Sequence, residues 1–102
     1  MLCALTVRKL KPGTLDRFRE AFAPDDMSEV PAGWKRFYAL QNAEDENEVI
    51  TFGFFDGTLE ELRAGQQADG GAYEKRRAAT EELVESVGAD GVFEVIDERS
   101  ME

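Results

Sequence analysis

Hydrophobic residues occur along this chain in short segments of two different periods. Four segments are short and rich in apolar, aromatic or β-branched residues, which is typical of strands. They are 2–8 (LCALTVR), 34–41 (WKRFYALQ), 49–55 (VITFGFF) and 92–96 (VFEVI). Two further segments repeat apolar residues at helical spacing among charged ones. The first spans 14–23, and the second begins at Thr58, breaks at 69–71 and resumes to about Val87, with Gly88 as its predicted end.

An eight-residue sequence occurs twice, as GTLDRFRE at 13–20 and as GTLEELRA at 57–64. In each copy a glycine turns the chain, a threonine is a good helix N-cap, and apolar residues place the first helical turn on a sheet. Thr58 and Glu61 also have the spacing of a capping box. Each copy therefore predicts a strand-to-helix corner.

The resulting order, β, α, β, β, α, β, predicts an α+β protein. The expected fold is a ferredoxin-like βαββαβ sandwich, in which a four-stranded antiparallel sheet carries both helices on one face. We expect one domain over residues 1–102, with a polar tail from about residue 98.

Alternation along the strands divides their side chains between two faces. One set is almost wholly apolar and is predicted to be the helix-packed core: Cys3, Leu5, Val7, Phe37, Ala39, Ile50, Phe52, Phe54, Phe93 and Val95. The other set mixes polar, aromatic and aliphatic residues: Leu2, Ala4, Thr6, Arg8, Trp34, Arg36, Tyr38, Leu40, Val49, Thr51, Gly53, Phe55, Val92, Glu94 and Ile96. This mixed face is too apolar to remain in water on a small domain, so we expect a second copy of the chain to cover it in a two-fold homodimer.

Charge changes the expected partners. Twenty-two acidic residues against twelve basic ones give a net charge of −10, which disfavours nucleic acid and anionic membrane as partners. The apolar runs are too short to span a bilayer. The first basic residues follow the first apolar stretch, whereas in a signal peptide they precede it. We therefore expect a cytoplasmic protein.

The chain contains no histidine and one cysteine, Cys3. These absences exclude Ser-His-Asp and Cys-His catalysis, an imidazole base or metal ligand, and an internal disulfide. We interpret Cys3 as a buried small hydrophobe rather than a nucleophile. The acidic segment 42–48 (NAEDENE) lacks the EF-hand pattern and is interpreted as a solvated hairpin tip. No cofactor and no metal are expected.

Three stretches carry a resemblance to a known family: LKPGTLDRFREAF after the first strand, VPAGW opening the second, and TFGFFDGTLEEL. The chain resembles the dimeric α/β barrel superfamily, and within it the small domains similar to antibiotic biosynthesis monooxygenases. The resemblance implies that two ferredoxin-like sheets pack face to face into a barrel. It also implies a pocket in each protomer between the sheet and the helices.

The chain departs from that family at its functional positions. Members often carry a histidine in the first turns of the second helix, where this chain has 62–65 (LRAG). The haem-degrading branch needs that residue type, so its absence excludes haem degradation. The quinone-forming branch uses an Asn, Trp, Tyr and Arg set that cannot be matched here, because Trp34 is on the second strand and Phe55 stands at the end of the third. No catalytic residue is carried over.

Two function classes remain open. One is a cofactor-independent monooxygenase, or a related enzyme, acting on a hydroxylated aromatic small molecule. In it, Trp34 stacks on the substrate, Arg36 pairs with an oxyanion and Tyr38 forms a hydrogen bond, and Tyr73 near the helix break is a further candidate. The alternative is a non-catalytic dimeric module that binds a small molecule or a partner. There, Trp34 and Tyr38 anchor the interface and Arg36 pairs with Glu94. Arg8 and Thr51 are interpreted as structural. The candidate pocket or interface residues are Trp34, Arg36, Tyr38, Thr51, Phe55, Tyr73 and Glu94.

Overall fold

The computed structural model describes residues 1–22, 32–68 and 71–101. Its elements are β1 (Leu2–Leu10), α1 (Leu15–Phe22), β2 (Trp34–Asn42), β3 (Asp45–Phe55), α2 (Leu59–Ala68), α3 (Ala72–Glu81) and β4 (Val84–Glu94). The strands form one antiparallel sheet in the order β2-β3-β1-β4. The predicted α+β sandwich is confirmed, with the second helical region divided into α2 and α3. No described helix is long and apolar enough to cross a membrane.

Both copies of the repeated octet form the predicted strand-to-helix corner. The sixth residue of each copy, Phe18 or Leu62, is almost completely buried. Only the second copy forms a capping box, in which the Glu61 N–H donates to Thr58 Oγ1 at 3.1 Å and the Thr58 N–H donates to Glu61 Oε1 at 3.2 Å. In the first copy Arg17 stands where Glu61 would be, and the Thr14 hydroxyl donates instead to the Lys11 carbonyl oxygen at 2.7 Å.

Burial along β3 identifies the face of the sheet that the helices cover. Its odd-numbered residues from Val49 to Phe55 are buried, while Ile50, Phe52 and Phe54 are half-buried. Val49 packs in one core cluster with Leu10 of β1, Phe18 of α1 and Leu83. We call this face the helix side and the opposite face the open side.

The predicted assignment of faces is wrong. Most of the apolar set lies on the open side: Cys3, Leu5, Val7, Ile50, Phe52, Phe54 and Phe93. The mixed positions of β1 and β3 lie on the helix side instead. Alternation shows which side chains share a face, but it does not show which face the helices cover. On β3 both faces are apolar enough to form a core, so the pattern could not choose between them.

An irregularity in β2 also separates residues that were predicted to share a face. The pairing with β3 shifts between Trp34 and Arg36, as at a β-bulge, which adds a residue and rephases the strand. Trp34 and Phe37 consequently lie on the helix side with Gly53, whereas Arg36 and Tyr38 lie on the open side.

The last strand begins eight residues earlier than predicted. Val84 and Val87 were assigned to a helix ending at Gly88, but both lie in β4, and Ile96 falls beyond its end. Two register shifts against β1 explain the error. They bring Val84, Val87 and Asp90 to the helix side at intervals of three, which imitates helical periodicity.

The β2–β3 hairpin extends through most of the predicted loop. The strands continue to Asn42 and from Asp45, so only Ala43 and Glu44 form the turn. The Asn42 side chain stabilises this tight turn, accepting from the Glu44 N–H at 2.8 Å and donating to Glu48 at 2.9 Å.

Candidate functional site

Polar side chains cross the centre of the sheet on its helix side. Thr6 of β1 is the direct neighbour of Thr51 on β3 and of Asp90 on β4. Arg8 follows two residues later on β1 and therefore projects to the same side. We call Asp90, Thr6, Thr51 and Arg8 the polar row.

Hydrogen bonds orient the two ends of the polar row. Arg8 Nη1 donates to Thr51 Oγ1 at 2.6 Å, and Thr51 is only 5% exposed. The guanidinium also lies 5.5 Å from the centre of the Phe18 ring, within cation–π range. At the other end, Thr6 Oγ1 donates to Asp90 Oδ1 at 3.0 Å. The row therefore begins at a half-buried cation and ends at an exposed carboxylate.

Aromatic rings cover the helix side beyond the polar row. The Trp34 ring lies 5.0 Å from Phe37 and 5.2 Å from Phe55, centre to centre. Gly53 beneath them has no room for a side chain, because an added Cβ would come within 2.7 Å of Phe37 and 3.0 Å of Trp34. These rings form an apolar wall of the kind that flat ligands contact.

The open side is apolar and lacks a comparable polar row among the described residues. Tyr38 stacks on Phe52 at 5.1 Å and meets Phe54 edge-on at 6.5 Å. Burial raises the pKa of the Cys3 thiol on the same face, so this thiol is less readily ionised and behaves as a small hydrophobe. The described contacts on this face are therefore mainly between apolar and aromatic groups.

The structure separates the seven residues singled out from the sequence. Trp34, Thr51 and Phe55 lie together on the helix side, whereas Arg36 and Tyr38 lie on the open side.

Glu94 lies on β4, at the edge of the sheet opposite to Arg36 on β2, with two strands between them. The predicted Arg36–Glu94 pair is therefore wrong. Tyr73 falls in α3, but its side chain is outside the described part of the structure.

Sequence reasoning missed the role of three members of the polar row. Thr6 was noted only as a member of the mixed face and Arg8 was interpreted as structural, while Asp90 fell between the predicted helix end at Gly88 and the predicted strand 92–96. The available signal was the alternation of Thr6 with Arg8 on a strand that is otherwise mostly apolar. Asp90 could not be added without the true extent of β4, which the helical spacing of Val84 and Val87 concealed.

Two depressions lie elsewhere on the described surface. One shallow depression lies at the hairpin turn over residues 41–47, and another lies between α1 and α3 beside Arg17 and Glu82. Within residues 1–22, 32–68 and 71–101, no group of three or more acidic, cysteine or histidine side chains is arranged to hold a metal ion.

Solved structures share this fold over nearly the whole chain. A candidate antibiotic biosynthesis monooxygenase from Nitrosomonas europaea matches with a TM-score of 0.75 and 16% identity, over 95% of this chain and 100% of its own. One from Chloroflexus aurantiacus matches with a TM-score of 0.75 and 12% identity, over 99% and 98%.

A variant of SnoaB, a cofactor-independent oxygenase from Streptomyces nogalater, matches with a TM-score of 0.73 and 14% identity, over 95% of this chain and 94% of its own. No protein-family model matches the chain. No curated protein matches it either. The chain therefore has the ferredoxin-like fold of the antibiotic biosynthesis monooxygenase structures.

Proposed function

We propose that this protein binds a hydroxylated aromatic small molecule on the helix side of its sheet and oxygenates it without a cofactor. The observation that carries the proposal is the Arg8–Thr51 pair, which places a cation and a hydroxyl in a layer walled by aromatic rings. The shared fold with SnoaB, a cofactor-independent oxygenase, supports the same reaction class.

In such a reaction, a cation of the protein stabilises the negative charge that forms on the substrate. A flavin-free and metal-free oxygenation begins with loss of a proton from the substrate, which leaves an enolate or phenolate. Arg8 stabilises that negative charge in a site from which Phe18 and the buried Thr51 exclude much of the water. The Phe18 ring and the Thr51 hydroxyl hold the guanidinium in place before the ligand arrives.

The substrate itself supplies the electrons for the reaction. At an activated methylene carbon, two C–H bonds break and a C=O bond forms. The O–O bond of dioxygen also breaks, with one oxygen atom retained in the carbonyl group and the other released as water. The balance is R₂CH₂ + O₂ → R₂C=O + H₂O. The protein supplies orientation and charge stabilisation.

Oxygen uptake with hydroxylated anthrones and naphthols tests this function, with heat-inactivated protein as the background. Arg8→Met should lower kcat on the order of 100-fold, as loss of one oxyanion-stabilising group does elsewhere. Arg63→Met, which removes an exposed cation on α2, is the matched control and should leave kcat unchanged. Wild-type protein that consumes no oxygen with any member of the panel contradicts the proposal.

We also propose that two copies of the chain assemble through the open side. Tyr38, Leu40 and Phe93 are each at least 40% exposed there, beside half-buried Phe52 and Phe54. A contiguous apolar surface of this kind on a small domain marks an interaction site. A two-fold axis would pair this face with itself, leaving the polar row on the outside of the paired sheets.

A non-catalytic binding module is the second candidate. The Trp34 and Phe37 rings favour it, because they already occupy the space above Gly53. Fluorescence separates the two functions, since Trp34 is the single tryptophan. Saturable quenching of Trp34 by a naphthol, without oxygen uptake, identifies a binding module, whereas quenching with uptake identifies the oxygenase.

A further inference from the structure

The polar row has one consistent direction of hydrogen bonding. Arg8 donates to Thr51, so the Thr51 hydroxyl proton remains to be donated elsewhere. Thr6 donates its own proton to Asp90, so the Thr6 oxygen remains to accept. The two threonines are direct cross-strand neighbours, whose Cβ atoms typically lie about 5 Å apart. One donor and one acceptor thus stand side by side.

We propose that an ionisable hydroxyl of the ligand completes this row and passes its proton to Asp90. The ligand oxygen accepts from Thr51 and donates to Thr6, which donates to Asp90. This inference deepens the proposed function and rests on the same site. It assigns Thr6 as the contact residue and Asp90 as the proton acceptor that acts through it.

The proton transfer balances without any further reactant. The ligand O–H bond breaks as its proton moves to Thr6 Oγ1, and the Thr6 proton moves to Asp90 Oδ1. The products are a ligand oxyanion beside Thr51 and Arg8, and a neutral Asp90. Because Asp90 is exposed, it then returns the proton to water.

The surroundings of the row fit this direction of transfer. At the buried end, Arg8 supplies positive charge and Phe18 of α1 covers it. At the exposed end, β4 is open to solvent on its helix side, with Val87 52% exposed. Glu94 is a further acidic group on the same side of β4. The oxyanion therefore forms near the cation and away from the carboxylates.

The test uses 4-nitrophenol, whose phenolate is coloured, and follows the bound phenolate-to-phenol ratio across a pH series. Opposite charges shift such equilibria by about tenfold or more, so Arg8→Met should lower the ratio at fixed pH by about tenfold. Asp90→Asn should raise it by roughly threefold, because a negative charge is removed and the amide can donate to Thr6. If Asp90 had a purely structural role, Asp90→Asn would not be expected to change the phenolate-to-phenol ratio in the direction opposite to Arg8→Met.

Further variants test whether Asp90 acts on the ligand through Thr6. Thr6→Ser keeps the hydroxyl and should behave as wild type, whereas Thr6→Val should reduce the effect of Asp90→Asn when the two are combined. Asp97→Asn, an exposed carboxylate beyond β4, should leave the ratio unchanged.

Three results overturn the inference: no binding of 4-nitrophenol, no rise with Asp90→Asn, or an unchanged response in the Thr6→Val background. If the ratios move as expected but no substrate is oxygenated, the proton path stands and the proposed oxygenase function fails alone.

Discussion

At the scale of single residues, two small residues of β3 determine which side chains pack on the helix side of the sheet. Gly53 lets the Trp34 and Phe37 rings lie flat against β3. Thr51, two residues earlier, buries a hydroxyl that is hydrogen-bonded to Arg8. A buried hydroxyl is tolerated only with such a partner. These neighbours therefore place an aromatic wall and a charged group on one face of the sheet.

Gly53→Ala should destabilise the protein by roughly 1–3 kcal/mol, because its Cβ would meet ring atoms at 2.7 Å. Trp34 emission should shift as its ring moves. The control is Gly91→Ala, whose Cβ would make ordinary contact with the Phe93 ring at 3.6 Å. Urea unfolding followed by circular dichroism measures both. Equal stability of the two variants would show that the rings do not pack on Gly53.

Only some residues of the candidate site could be identified from the sequence. Thr51, Trp34 and Phe55 were singled out and lie together. Arg36 and Tyr38 were placed beside them because strict alternation was assumed, and one bulge after Trp34 moved both to the open side. A bulge of this kind depends on pairing with β3, which a single strand does not encode.

At the scale of secondary-structure elements, the sequence predicted the features that depend on the chemistry of neighbouring residues. The repeated octet predicted both corners because glycine turns and threonine caps act locally. The predicted boundary between α3 and β4 was wrong, because the start of β4 is set by its pairing with β1. An edge strand of 11 residues completes the ladder along β1 despite its two internal glycines, so pairing overrode the local pattern.

A salt bridge links β1 to the start of β3. Lys9 Nζ donates to Asp45 Oδ2. This bond is the main cause of the lowered pKa of Asp45, and a hydrogen bond from the Asn47 N–H is the second cause. The same bond is the main cause of the raised pKa of Lys9. Such a pair stabilises the fold fully between the ordinary values of the two groups, about 4 and about 10.4.

Asp45→Asn should therefore lower Tm at neutral pH. The difference from wild type should shrink as the pH falls below about 4, through the lowered pKa of Asp45. It should also shrink as the pH rises above about 10.4, through the raised pKa of Lys9. Glu46→Gln removes a neighbouring exposed charge at the hairpin and is the control. Thermal melts at several pH values measure the difference, and one that stays constant with pH contradicts this assignment.

At the scale of the whole molecule, the two faces of the sheet differ in chemical character. The helix side holds the polar row, and the open side presents aromatic and aliphatic groups. Which face the helices cover could not be predicted, because β3 carries apolar residues on both. The fold itself was predictable, since the element order and the two corners allow few other arrangements.

Tyr38→Glu should dissociate the proposed dimer, because it places a charge within the apolar contact. Light scattering should give twice the 11.4 kDa chain mass for wild type and a single chain mass for the variant. Ala78→Glu, on the exposed surface of α3, adds the same charge elsewhere and should leave the dimer intact. A monomeric wild type at micromolar concentration, or a dimeric Tyr38→Glu, would show that the open side is not the interface.

The central claim is that the ligand binds on the helix side, and methyl NMR during a titration with 1-naphthol tests it most directly. Methyl groups of Thr6, Thr51 and Val92 point to the helix side, whereas those of Leu5 and Ile50 point to the open side. The account predicts saturable shifts in the first group and nearly unchanged signals in the second. Shifts confined to the second group, or no shifts at all, would contradict it.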